Sequence, residues 1–368
     1  MADPGDFERR QIRVCRVLCI FFMMSVHVDP GAGAAPILAS GFWHLVAVIW
    51  VDVLGRASVA ALSFISGYLL VRATRDRGFR AFARGKATTL LVPMLVWNFS
   101  LIALLLIKTQ VFGHHDAPDP AREGWLARIG LWTGLTGPTE NLSLFFLRDL
   151  FVASLIVYWL RPVLRRWPLP VLAVILVLAV GELTAPVLFR PSILAFAAAG
   201  AAAAYRVARL SELSRPALAL PAAGVAAALL IACAMIPDAD PEMIEHASDI
   251  LRRCLLTFGV LWLSARLVER PLGIWLARLE GSIFETYLLH VSLLSVLWIG
   301  WNHLISGADR PSYLLFFFAA PLVAMIAGAA FARVADHLPP SAQILLRGKV
   351  KRPKPRPLPT ALNTGTET

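Results

Sequence analysis

Charge is scarce in this 368-residue chain: Lys, Arg, Asp and Glu make up only 16% of it, against about a quarter in soluble globular proteins. Cysteine is scarcer still. The four present, Cys15, Cys19, Cys233 and Cys254, form no CxxC pair and no metal-ligand spacing, so they read as small core residues. The head MADPGDFERRQIR is polar and mixed in charge, and no small-residue cleavage site follows the first apolar run. A cleaved signal is therefore not expected. No soluble catalytic domain is visible either, which leaves the chemistry to the apolar segments and their loops.

Apolar residues are abundant, at 58%, and they gather in blocks of about 20, the length that crosses the hydrocarbon layer of a membrane. Ten blocks qualify, at approximately 12–29, 56–72, 88–112, 142–160, 168–183, 187–205, 217–236, 250–267, 281–300 and 312–334. The block GFWHLVAVIWVDVL, 41–54, is short for a span and reads as an interfacial or re-entrant piece beside the second helix. With the N-terminus inside, 26 of the 35 Lys plus Arg fall on cytoplasmic segments, and an outer loop, PDADPEMIEHASD, is acidic. The net charge of +11 is then explained by basic cytoplasmic loops, not by nucleic acid. The expectation is an all-α integral membrane protein of about ten transmembrane helices, N-in and C-in. Residues 1–335 would form one membrane domain. Residues 336–368, basic and Pro-rich, would form a disordered cytoplasmic tail near anionic headgroups.

Ionisable groups inside a span are costly, and each is a functional candidate. The set is His27, Asp149 with Arg148, Glu285 and His290, while Glu182 and Lys108 stand near span ends where they can snorkel. Arg16 and His27, eleven residues apart, share one helical face and are separated by about 16 Å along the axis. The pantetheine arm of coenzyme A has a similar reach. An arginine at the cytoplasmic mouth suits phosphate, and a histidine at the far end suits general-base catalysis. A structural histidine and ordinary positive-inside arginines would give the same letters. His290 shares a face with Tyr287 and Thr286, and Glu285 and Ser282 extend the polarity. That face suits either an interhelical hydrogen-bond knot or support for catalysis. Arg148 and Asp149, adjacent on a helix, point about 100° apart and are expected to pair with other groups. Asp149 could orient a histidine. The SG of FISGYLL allows close helix approach.

At these residues the chain resembles the acyltransferase-3 family of bacterial inner-membrane O-acyltransferases, over approximately residues 8 to 335. The carriers, in order, are Arg16 with His27, FISGYLL, the basic loop into LLVPMLVWN, LFFLRDLFV, and IFETYLLHVSLL. The wording of the first helix and of FLRDLFV is most like the branch that decorates exopolysaccharides by acetylation or succinylation. The resemblance implies transfer of an acetyl or succinyl group from acyl-CoA to a sugar hydroxyl of a lipid-linked or exported polysaccharide, with no bound cofactor. It makes His27 the essential histidine and Arg16 its paired arginine. There is one departure: of two basic residues expected three apart before the third span, Lys86 fills the first place and Thr89 occupies the second.

The mechanism expected on this basis sets the donor phosphates among Arg13, Arg16, Arg84 and Lys86. The thioester lies at His27, and Ser66 or Tyr287 donates to the developing oxyanion. Direct transfer and an acyl-histidine relay both stay open, as does the oligomeric state. The competing class is a polytopic transporter or flippase for a glycan or lipid, against which stands the lack of detectable repeats and paired broken helices.

Overall fold

The structure is a computed structural model and describes residues 4–28, 35–38, 41–73, 78–112, 124–134, 139–184, 187–215, 241–305 and 307–350. Among them there is no strand. The helices are α1 (Pro4–Val26), α2 (Gly41–Ala47), α3 (Arg56–Ala73), α4 (Phe79–Lys86), α5 (Val92–Phe112), α6 (Trp125–Thr133) and α7 (Phe145–Arg166). They continue with α8 (Pro168–Val180), α9 (Pro191–Arg206), α10 (Pro241–Leu267), α11 (Pro271–Leu304), α12 (Tyr313–Ala335) and α13 (Pro340–Arg347). Nine of the ten expected spans coincide with helices. The expected span 217–236, Cys233, the side chain of Lys108 and the tail 351–368 lie outside what is described.

Local chemistry sets many of the boundaries. Proline opens α8, α9, α11 and α13, where its missing N–H costs nothing and its fixed φ is already helical. Gly134 and Gly348 close α6 and α13 in the left-handed conformation, which favours a residue without Cβ. Among the described residues, three helical runs are long and apolar enough to cross a membrane: Phe79–Ile107, Pro271–Leu304 and Tyr313–Ala335.

Two expectations are corrected. The block 41–54 is not a separate piece, because α2 runs through a π-helical stretch, Val48–Gly55, directly into α3. A Cβ on Gly55 would lie 2.4 Å from Val26 Cγ2, so this stretch packs against the end of α1. Nor is the chain beyond residue 335 wholly an unstructured tail: α13 folds back onto α5, where the Trp97 indole N–H donates to the Leu346 carbonyl at 2.9 Å.

The bundle has two distinguishable ends. At one, Tyr68 donates to Glu8 at 2.6 Å, Gln11 to Ser214 at 2.8 Å, and Arg72 to the carbonyls of Val207 and Ala208. At the other, Trp50 donates to Ser25 at 2.8 Å and Tyr313 to the Val28 carbonyl at 3.0 Å. The first end carries the arginine end of α1 and the second its histidine end.

Candidate functional site

A cavity of about 290 Å³ opens at the arginine end. Its polar lining includes Arg16, Glu280, Lys86, Thr89, Arg347 and Lys349, and its deeper wall is apolar, with Ile20, Leu90, Leu147 and Ile283. Arg16 reaches it because α1 is helical without a break, which puts Arg16 and Ile20 on one face. Its guanidinium donates to Glu280 on α11 at 2.9 Å. Ser66 and Tyr287 also line this cavity.

Beyond Tyr287 lie the two histidines. His27 sits in the turn that follows α1, partly exposed, its backbone N–H on the Met24 carbonyl at 3.0 Å. Its ring centroid is 5.2 Å from that of His290, with the planes at 57°. His290 is wholly buried and stands 5.7 Å from the Tyr287 ring. Its Nδ1 faces the Tyr287 carbonyl. A carbonyl only accepts, so Nδ1 carries the proton and Nε2 keeps a free lone pair. That Nε2 is buried and has no hydrogen-bond partner among the described residues. Tyr287 in turn donates its hydroxyl to the Ser143 carbonyl at 2.6 Å.

α1 and α11 are therefore paired in parallel and in register. Arg16 meets Glu280 at one level, and His27 meets His290 at the other. Eleven residues on α1 and ten on α11 give rises of about 16 and 15 Å, so the two levels match. The cavity occupies the basic level, and Tyr287 separates it from the histidines.

The remaining candidates fall elsewhere. Arg148 donates to Asp149 at 2.7 Å and to the Val187 carbonyl at 2.8 Å, while Asp149 accepts the Arg190 backbone N–H at 2.7 Å. These neighbours pair with each other, contrary to expectation, and they fix the lead into α9; neither carboxylate oxygen serves a histidine. The Glu285 carboxylate is buried with no hydrogen bond, and its ion-pair partner is Arg347 at 3.5 Å. Arg13 and Arg84 are exposed and lie outside the cavity lining. Of the two expected oxyanion donors, Tyr287 has its hydroxyl engaged by the Ser143 carbonyl and Ser66 lines the cavity on the Arg16 side of Tyr287.

Three charged lining residues, Glu280, Arg347 and Lys349, were not anticipated. Glu280 had a signal: it precedes His290 by ten positions much as Arg16 precedes His27. Arg347 and Lys349 had none beyond their charge, since their place depends on α13 folding back.

Residues 9–332 match the acyltransferase domain that defines the acyltransferase-3 family. The chain is similar to a succinoglycan biosynthesis protein, ExoH, of Rhizobium meliloti (strain 1021), at 29% identity over 347 residues, covering 92% of this chain and 91% of that protein. No solved structure matches it significantly.

Proposed function

The chain belongs to the acyltransferase-3 family, and from that premise we propose that it is a membrane O-acyltransferase acting on an exopolysaccharide, with acyl-CoA as donor and His27 as general base. The observation that carries this reading is the matched pair of levels on α1 and α11: a cationic cavity mouth at Arg16 and a histidine pair about three helical turns away. The similarity to a succinoglycan biosynthesis protein supports a polysaccharide acceptor.

In this mechanism acyl-CoA enters lengthwise from the cytoplasm, its phosphates beside Arg16 and Lys86 and its stem along the apolar wall. The Tyr287 ring must swing or shift for the thioester to reach His27. Neutral His27 takes the proton from the acceptor hydroxyl as that oxygen attacks the thioester carbonyl. The C–S bond then breaks, and His27 returns the proton to the departing CoA thiolate, leaving the ester and free CoA. His290, whose ring lies 5.2 Å from that of His27, positions the His27 ring by packing against it. With the ten crossings and the N-in, C-in orientation expected from the charge bias, the cavity opens on the cytoplasmic side, where acyl-CoA is made.

The test is mass spectrometry of the surface glycan from cells lacking the chain, complemented with wild type or with His27→Ala. Wild type is expected to restore an acetyl or succinyl ester, and His27→Ala to restore none at equal membrane abundance. A glycan of normal mass retained inside the null cells would indicate a transporter instead. Normal acylation by His27→Ala would remove the histidine from the mechanism.

A further inference from the structure

Four cations line the cavity: Arg16, Lys86, Arg347 and Lys349. Two of them are already neutralised. Arg16 holds Glu280 at 2.9 Å, and Arg347 holds Asp336 at 2.7 Å with Glu285 at 3.5 Å. Lys86 and Lys349 have no carboxylate partner among the described residues. Two ammonium groups without a carboxylate, Lys86 having the Phe82 ring 6.0 Å away, at the mouth of a cavity with apolar deeper walls call for a ligand with a polyanionic head and an uncharged stem.

Lys349 reaches this place through a specific device. Arg347 is almost fully buried. It ties α13 to the end of α12, donating to Asp336, to the Ala335 carbonyl at 3.3 Å and to Gln343 at 2.8 Å. Gly348 then ends α13 at φ +68°, and a Cβ on it would lie 2.6 Å from Thr89 Cα and 2.7 Å from the Thr88 carbonyl oxygen. The turn is thus seated on the backbone of the π-helical stretch Ala87–Leu91, which begins immediately after Lys86. Any side chain at position 348 would lift it off.

We propose that the turn after α13 belongs to the donor site: Lys349 and Lys86 clamp a phosphate of acyl-CoA between them, and Arg347 is the positioning residue that seats Lys349 there. The clamp rests on the acyl-CoA reading above. It adds to that reading a second, C-terminal element that closes over the phosphates. The clamp is a matter of donor binding and takes no part in the chemical step.

The experiment measures initial rates of acyl transfer by the full chain in membrane vesicles, varying acetyl-CoA and succinyl-CoA. Lys349 is exposed, so Lys349→Gln is expected to fold. It should raise KM for the donor about tenfold, the scale of one charge-assisted hydrogen bond, with kcat unchanged. Lys349→Arg should stay near wild type. Arg347→Gln should raise KM similarly, and adding Lys349→Gln to it should bring little further change, because the two act through one contact. With dephospho-CoA thioesters, a Lys349→Gln effect that disappears assigns the clamp to the 3′-phosphate, and one that persists assigns it to the diphosphate. An unchanged KM in Lys349→Gln, while wild type turns over, overturns the clamp alone. No turnover by wild type with either donor overturns the acyl-CoA reading and the clamp together.

Discussion

At the scale of single residues, the least conventional environment belongs to His290. Its ring is wholly buried, one nitrogen is engaged by a carbonyl on its own helix, and the other is left with a lone pair and no partner beside His27. A buried acceptor without a donor costs free energy, and a merely structural site would better be filled by an apolar ring. His290→Phe, which keeps the ring volume, is therefore expected to leave membrane abundance and donor KM near wild type while lowering kcat by about tenfold or more, as loss of a positioned acid–base partner does. An unchanged kcat would show that His290 is packing only. Asp149 gives the opposite expectation. Its pair with Arg148 is nearly or fully buried on both sides, and removing one partner of such a pair costs about 3–5 kcal/mol. Asp149→Ala should lower the thermal unfolding midpoint in detergent sharply, while surviving folded protein keeps its donor KM. Spacing alone made Arg16 and His27 legible in the sequence, because one helix fixes their relation. The partners that complete them, Glu280 and His290, come from a helix some 260 positions later; His290 was noticed as a mid-span polar group, but no local pattern encodes the pairing.

At the scale of elements, α3 and α9 approach each other very closely. A Cβ on Gly67 would lie 1.9 Å from the Ala197 carbonyl oxygen, and one on Gly200 the same distance from the Phe64 carbonyl oxygen. The two glycines face opposite backbones across one crossing, the arrangement by which small residues let helices meet in lipid. Gly200→Ala should force the helices apart and cost roughly 1–3 kcal/mol as overpacking, visible as a lower unfolding midpoint in detergent. The same change at Gly281, whose Cβ would meet nothing within 4 Å, should have little effect and serves as the control. The SG of FISGYLL and the Ala-rich run of α9 were both visible as small-residue stretches, and the first as permission for close approach. That they meet each other was not legible, because an alanine-rich face fits many partners. The same limit explains α13: PSAQILLR is one amphipathic turn-pair inside a basic stretch, and only contacts with Trp97, Asp336 and the Thr88–Thr89 backbone turn it into a docked helix.

At the scale of the whole molecule, the helical class and the places of helices at nine of the ten expected blocks followed from block length, since about 20 apolar residues admit little but a helix in lipid; three of the described helical runs are long and apolar enough to cross a membrane. The expected orientation rests on charge bias, which is a statement about membrane insertion and leaves no direct mark on packing. Packing bears only on which residues share an end of the bundle. The cavity is lined together by Arg16 near the start of the chain, Lys86, Glu280 and Lys349, so these four must share one side. The Tyr313–Val28 contact marks the opposite end. In a membrane-spanning bundle this geometry implies an even number of crossings between Arg16 and Lys349, and a ten-span arrangement with both termini on one side is one such case. Single cysteines in place of the exposed residues Arg9, Arg310 and Val350 test this with a membrane-impermeant thiol reagent. Arg310→Cys should be labelled in intact spheroplasts and protected in inside-out vesicles. Arg9→Cys and Val350→Cys should show the reverse, and should do so together. Labelling of all three with the signs exchanged would put the donor cavity outside the cell, away from any acyl-CoA, and would end the proposed mechanism while leaving the fold intact. Labelling of Arg9→Cys and Val350→Cys from opposite sides would contradict the fold itself, since one cavity cannot draw its wall from both faces of a membrane.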